Sequence, residues 1–138
     1  MEIGWTPRSI FQSPSYAAWF DSGYAAYQPQ MEYVDRLRNM TDSVHLIVVF
    51  GTWCHDSKRE VPRFFKIMDA AGFPSGQITL IAVDRSLQIP PGVAKEYNIL
   101  HTPTFIVRYR GVELGRIEEK PSTTLEEYFV ESLRQLFE

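Results

Sequence analysis

The sequence predicts an α/β fold in which a central mixed β-sheet has helices on both faces. Two continuous apolar runs, Val44 to Phe50 and Ile78 to Val83, lack the alternation of half-exposed strands and are typical of central strands. A helical stripe lies between them, and the order strand, helix, strand implies a right-handed parallel crossover. A hairpin and a closing helix follow, so the predicted sheet is mixed.

The size of the chain favours a single domain. Its 138 residues are 44% hydrophobic, which is enough for one compact core and too little for two ordinary domains. We therefore predict one domain over residues 1–138, with an N-terminal helical segment over 1–43 and the core of the fold over 44–138.

Charge and hydropathy exclude two classes of partner. The formal net charge of -3 and the absence of a dense basic cluster argue against nucleic-acid binding. The longest apolar runs are far shorter than the roughly 20 residues that a membrane-spanning helix requires, so we expect a soluble protein. The N-terminus has no secretion-signal pattern, which predicts a cytoplasmic protein as written and an exported one only if a signal has been removed.

The N-terminal segment should contain two helices. Ser13-Pro14 is typical of an N-cap followed by proline at the first helical position, and three aromatic residues then recur on one face: Tyr16, Phe20 and Tyr24. A second helix is predicted over Gln30 to Met40. Ser9 to Phe11 is our candidate for an additional strand before these helices.

After the first buried strand the pattern changes at Gly51-Thr52. From Cys54 onward apolar residues fall at helical spacing, at Val61, Phe64, Phe65 and Met68. Pro62 lies inside this stripe and should kink the helix because it removes a backbone donor. The turn residues Gly72 to Gly76 then end the helix.

The C-terminal part predicts a short helix over Gly92 to Tyr97 and a hairpin of Thr104 to Tyr109 with Val112 to Ile117. A capping box, Thr123-Thr124-Leu125-Glu126, should open the closing helix. The apolar face of that helix consists of Leu125, Phe129, Leu133 and Leu136.

The only cysteine lies in the stretch GTWCHDS, residues 51–57. The loop after a buried strand lies at the carboxyl edge of the sheet, where open α/β folds bind ligands. Cys54 also begins the next helix, so backbone N–H groups and the helix dipole should stabilise its thiolate. The alternative, a buried and inert cysteine, is common for free thiols. We interpret Cys54 as an exposed nucleophile.

A second motif follows 49 residues later, as His101-Thr102-Pro103-Thr104. A proline between a short helix and a strand often occupies a sharp turn, where cis peptide bonds occur. If the bond before Pro103 is cis, the backbone edge of Thr102 should face the Cys54 loop. An extended peptide could pair with that edge while its own sulfur meets the thiolate.

From about Val44 to the C-terminus the chain resembles the thioredoxin family. The matching features are Trp53-Cys54-His55-Asp56-Ser57, the placed Pro62, the strand ending in Asp84, and Thr102-Pro103-Thr104. The resemblance implies a thioredoxin-like fold, Cys54 as the attacking cysteine, Trp53 as its packing neighbour and Pro103 as the cis-proline of a substrate groove. Relatives with a similar G-T-W-C-x-D-S stretch include bacterial exported proteins.

Two positions depart from the family pattern. Ser57 stands where thioredoxins have a second cysteine, and Val48 stands where they commonly have a buried acid. A lone thiolate can still form a mixed disulfide, but release must then come from the substrate's own thiols or from glutathione. Ser57 could donate a hydrogen bond to the Cys54 thiolate, and the sequence does not distinguish a native serine from an introduced one.

The leading hypothesis is therefore a monothiol C-x-x-S protein that exchanges with protein or glutathione disulfides, with Cys54 and Ser57 at the catalytic centre. Trp53, His55, Thr102 and Pro103 are the predicted substrate-binding residues. The alternative is a peptide-binding module of the same fold without turnover. We predict no cofactor, and no metal site either, because Cys54, His55 and His101 follow no recognised ligand spacing.

Overall fold

The computed structural model describes residues 1–138, and its centre is one mixed sheet of five strands. The strands are β1 (Gly4–Trp5), β2 (Val44–Phe50), β3 (Ile78–Ala82), β4 (Thr104–Tyr109) and β5 (Val112–Glu118). Their order across the sheet is β1-β3-β2-β4-β5. β2 and β3 are parallel, whereas the other neighbouring pairs are antiparallel. The predicted mixed sheet is confirmed.

Five α-helices surround the sheet. They are α1 (Ala17–Ala26), α2 (Met31–Leu37), α3 (His55–Ala71), α4 (Val93–Glu96) and α5 (Leu125–Phe137). α1 begins later than predicted, because the Ser13 hydroxyl accepts the Ser15 N–H in a turn before the helix. α3 ends where Gly72 adopts φ 67°, a left-handed conformation that favours glycine.

The two faces of the sheet are covered unequally. The larger core of 25 buried residues includes side chains from α1, α2, α3 and α5 and from one face of the sheet. The smaller core of 7 residues lies on the other face beneath α4. None of the helices has both the length and the apolar character needed to cross a membrane.

The additional strand lies earlier in the chain than we predicted. Ser9 to Phe11 belongs to a 3-10 helix over Arg8–Gln12, and the strand is Gly4–Trp5. The aromatic ring of Phe11 is 2% exposed and stacks on Phe20 with ring centroids 4.6 Å apart. Because the turn packs this ring against α1, the segment cannot continue as an edge strand. The N-terminal 43 residues therefore contribute a strand as well as helices, and their grouping with 44–138 into one domain stays a prediction.

The start of α5 differs from the predicted capping box by one residue. The Thr124 hydroxyl, not that of Thr123, accepts the Glu127 N–H at 3.2 Å. Glu126 is fully buried, and its carboxylate accepts the Tyr27 hydroxyl at 2.7 Å and the Gln30 N–H at 2.8 Å. Burial and this carboxylate raise the pKa of Tyr27, so the phenol remains a donor. Glu126 thus joins α5 to the N-terminal segment.

We expect Glu126→Ala to lower the free energy of unfolding by about 1 to 3 kcal/mol, because the Tyr27 hydroxyl loses its acceptor. Urea unfolding followed by circular dichroism measures this loss. Glu131→Ala is the matched control on the same helix, since Glu131 forms an exposed ion pair with Arg134. Equal effects of the two substitutions would contradict the assignment.

His45 lies on β2, with its Nε2 atom 2.6 Å from the Thr79 hydroxyl oxygen on β3. Partial burial, and secondarily the charge of Arg108, lower the pKa of His45 below its usual 6.5. The unfolded chain therefore binds a proton at this histidine more readily than the folded protein does.

It follows that stability should fall as the pH decreases through about 6.5, and that the loss should be complete below the pKa of the folded state. Urea midpoints at pH 8, 7, 6 and 5 test this. The neutral variant His45→Gln should lose less stability between pH 7 and 5 than the wild type. If the urea midpoints of both proteins change equally with pH, His45 does not contribute to the pH dependence of stability.

Candidate functional site

Cys54 is the N-cap residue of α3, as predicted. Its backbone is extended, with φ -86° and ψ 125°, and its N–H donates to the Gly51 carbonyl at 3.0 Å. The side chain is partly exposed, and the thiol donates to the Thr102 carbonyl oxygen at 3.4 Å. Cys54 is thus partly exposed, and its sulfur lies against the second motif, although 48 residues separate the two in sequence.

The loop before β4 is held in a fixed conformation. The Thr102–Pro103 peptide bond is cis, and both residues are buried. The Pro103 carbonyl accepts the Glu119 N–H at 2.8 Å, and the Thr104 hydroxyl donates to the His101 carbonyl at 2.7 Å. No backbone hydrogen bond engages the Thr102 N–H. This N–H and the carbonyl beside Cys54 form a short backbone edge.

Ser57 does not make the hydrogen bond that we predicted. Its hydroxyl oxygen accepts the Gly51 N–H at 3.1 Å, and no hydrogen bond joins it to Cys54. The side chain is 0% exposed, one turn into α3. Because the N–H of Gly51 has left the strand ladder and is buried, it needs an acceptor, and the hydroxyl supplies one. Ser57 therefore ties α3 to the end of β2.

Trp53 packs against the backbone of the same turn. Its indole N–H donates to the Val83 carbonyl at 2.9 Å. A β-carbon at Gly51 would lie only 2.5 Å from the ring atom Cε2 and 2.6 Å from Nε1. The absence of a side chain at Gly51 is therefore what allows the ring to lie flat over the turn.

We expect Gly51→Ala to displace the Trp53 ring, break its hydrogen bond to Val83 and destabilise the fold by about 1 to 3 kcal/mol. The indole N–H resonance of Trp53, assigned with Trp53→Phe, should shift in NMR spectra, and the urea midpoint should fall. Gly76→Ala is the control, because nothing lies within 4 Å of a β-carbon at Gly76. An unmoved resonance in Gly51→Ala would contradict this packing.

The charged groups near Cys54 are largely paired with one another. Asp56 forms an ion pair with Arg59 at 2.8 Å, and His101 lies 3.0 Å from a Glu119 oxygen. His55 is exposed at the first position of α3. No three His, Cys, Asp or Glu side chains come together in a group that could hold a metal ion.

Three features of this region escaped the sequence reasoning. The Arg85 guanidinium lies over the Trp53 ring, 5.4 Å from its centroid. The Thr52 hydroxyl accepts the Glu2 N–H at 3.1 Å, so the N-terminus contacts the Cys54 loop. Glu119 completes the pair with His101. Only Arg85 could have been placed near Cys54 from the sequence. It follows the second buried strand, and the ends of the two parallel strands lie at the same edge of the sheet.

Comparisons with known proteins agree with this architecture. No family model matches the chain. Mitochondrial thioredoxin-3 of Saccharomyces cerevisiae is 28% identical over 108 residues, which is 72% of this chain and 80% of the yeast protein. A crystal structure of oxidised yeast mitochondrial thioredoxin 3 covers 83% of this chain and 99% of its own, with 19% identity and a TM-score of 0.46.

A protein of unknown function from Pseudomonas aeruginosa superposes with a TM-score of 0.55 at 16% identity. The match covers 82% of this chain and 66% of the Pseudomonas chain, so our chain spans just under two thirds of that protein. The chain has the thioredoxin-like fold. The yeast relative is similar to this chain over most of both sequences.

Proposed function

We propose that the protein carries out thiol–disulfide exchange with Cys54 as its single nucleophile. The observation that carries this proposal is the position of the Cys54 sulfur, which is partly exposed at a helix N-terminus and lies 3.4 Å from the Thr102 carbonyl. The thiolate is the form that attacks a disulfide. The name of the yeast relative, a thioredoxin, supports the same chemistry.

The first step is attack of the Cys54 thiolate on one sulfur of a substrate disulfide. A new disulfide forms between Cys54 and the substrate, the original S–S bond breaks, and the second substrate sulfur leaves as a thiolate that takes up the proton lost by Cys54. The unengaged N–H of Thr102 is available to an extended peptide backbone at this stage. Trp53, His55 and Pro103 are the other residues that would contact the substrate.

The second step needs a thiol from outside the protein. Ser57 cannot form a disulfide, so either another thiol of the substrate or glutathione attacks the mixed disulfide and regenerates Cys54. Attack by a substrate thiol rearranges the substrate's disulfides, whereas attack by glutathione transfers the substrate to glutathione. Ser57 would act as a positioning residue, because its contact with the Gly51 N–H holds the turn that presents the sulfur.

Val48 has apolar neighbours in the sheet. This supports an exchange mechanism that uses no proton acceptor at this position. Val48 is fully buried, and its register partners on β3 and β4 are Leu80 and Phe105. The buried acid Glu60 lies instead on α3, where its carboxylate is paired with Arg59 and Arg63. Two guanidinium groups thus engage this carboxylate.

The test is capture of a disulfide-containing peptide on Cys54. Wild-type protein incubated with the peptide should gain the mass of one peptide thiol, and reduction should remove it; Cys54→Ser should gain none. Intact-protein mass spectrometry measures both. Equal peptide affinity of the two proteins, with no adduct on the wild type, would instead identify a binding module without turnover.

Ser57→Cys extends this test to turnover. If the scaffold supports exchange, adding a second thiol one turn after Cys54 should raise dithiothreitol-driven reduction of a protein disulfide by about tenfold or more, because release becomes intramolecular. Thr104→Cys is a matched control, since Thr104 is also fully buried near the loop but is not on α3. No gain for Ser57→Cys would count against exchange chemistry.

A further inference from the structure

We infer that the site selects disulfides that carry a carboxylate next to the reacting sulfur, and that Arg85 recognises this carboxylate. The inference rests on the proposed exchange at Cys54. It assigns a role to Arg85, an exposed residue whose guanidinium carbon lies 5.4 Å from the centroid of the Trp53 ring, and Trp53 is the residue next to the nucleophile.

Arg85 differs from most other arginines of the protein in forming no ion pair. Most arginines form an ion pair with a carboxylate, whereas Arg85, Arg108 and Arg110 form none. Each of these three lies over an aromatic ring instead. Arg108 and Arg110 are at the hairpin end of β4, which is the end opposite the cis-proline loop. Arg85 is therefore the unpaired arginine of the Cys54 site.

The neighbouring acid does not neutralise Arg85 through direct contact. The Asp84 carboxylate accepts hydrogen bonds within its own loop, from the Ser86 hydroxyl at 2.8 Å and from the N–H groups of Gln88 and Ile89 at 3.0 and 3.1 Å. It forms no ion pair with Arg85. The guanidinium thus retains its full set of donors for an incoming group.

The remaining charges of the site point to the same kind of substrate. Of the other acids near the site, Asp56 is paired with Arg59, and a Glu119 oxygen lies 3.0 Å from the ring of His101. In a chain with a net charge of -3, the Arg85 guanidinium lies over the ring of the residue that precedes Cys54 and forms no ion pair. A guanidinium over an indole ring is attracted by the ring's π face, and its planar fork fits a carboxylate. An acidic residue beside the substrate cysteine supplies that group.

The experiment compares two activated peptides, acetyl-Gly-Glu-Cys-Gly-amide and its Gln counterpart, each with the cysteine as a 2-pyridyl disulfide. Cys54 attacks the peptide sulfur, the bond to the pyridyl sulfur breaks, and 2-thiopyridone leaves with the proton that Cys54 gave up. Its absorbance gives the second-order rate constant. The blocked termini leave the Glu side chain as the peptide's one charged group.

For the wild type we expect the Glu peptide to react about two- to fivefold faster than the Gln peptide, the range of an exposed charge pair. Arg85→Gln should reduce this ratio to one. Arg110→Gln removes an equal charge from a similarly stacked arginine and should keep the ratio. High salt should also lower the ratio, because it screens exposed charges.

The outcomes separate the two proposals. Adduct formation at equal rates for both peptides in the wild type, or an unchanged ratio in Arg85→Gln, would overturn the role of Arg85 and leave exchange at Cys54 intact. Absence of an adduct with either peptide would overturn the exchange itself. The 2-pyridyl disulfide of glutathione is a third probe: a larger Arg85 effect on glutathione than on the Glu peptide would overturn the peptide assignment.

Discussion

The close packing of the Trp53 ring on Gly51 is the constraint on which the site depends. The ring lies where any β-carbon at position 51 would have to be, and the N–H of the same glycine donates to Ser57. Three hydrogen bonds thus meet in one short turn, since Cys54 also donates its N–H to the Gly51 carbonyl and Trp53 donates to Val83. The turn orients Cys54, the N-cap residue of α3, and with it the sulfur.

The Ser57 hydroxyl stabilises the turn before α3, but it cannot resolve a mixed disulfide. A cysteine at this position could resolve a mixed disulfide, whereas the hydroxyl is engaged with a backbone N–H and is inaccessible. The sulfur of Cys54 is consequently left with the Thr102 carbonyl as its hydrogen-bond partner. Under the proposed mechanism, the protein can capture a substrate by itself but needs an external thiol to release it.

The helices also stabilise the site, and they cover the two faces of the sheet unequally. α1, α2, α3 and α5 enclose the larger core on one face of the sheet, and the buried Glu126 joins α5 to the segment that precedes α2. α3 therefore has packed neighbours along most of its length, which stabilises the helix whose N-cap residue is the nucleophile. The opposite face is covered mainly by α4 and retains polar side chains such as His45.

The sequence alone determined the buried strands, the long helix after Cys54, the hairpin and the closing helix, because apolar periodicity is a local signal that tertiary packing rarely overrides in long elements. Val44–Phe50 and Thr104–Tyr109 have the predicted bounds. The tertiary structure decided the rest: the strand at Gly4–Trp5, the cap at Thr124, the partner of Ser57 and the position of Arg85 over Trp53. Each of these depends on which group is met after folding. Individual contacts, whether local as at Thr124 and Glu127 or distant as between Gly4 and Ala82, leave no periodic pattern in the sequence.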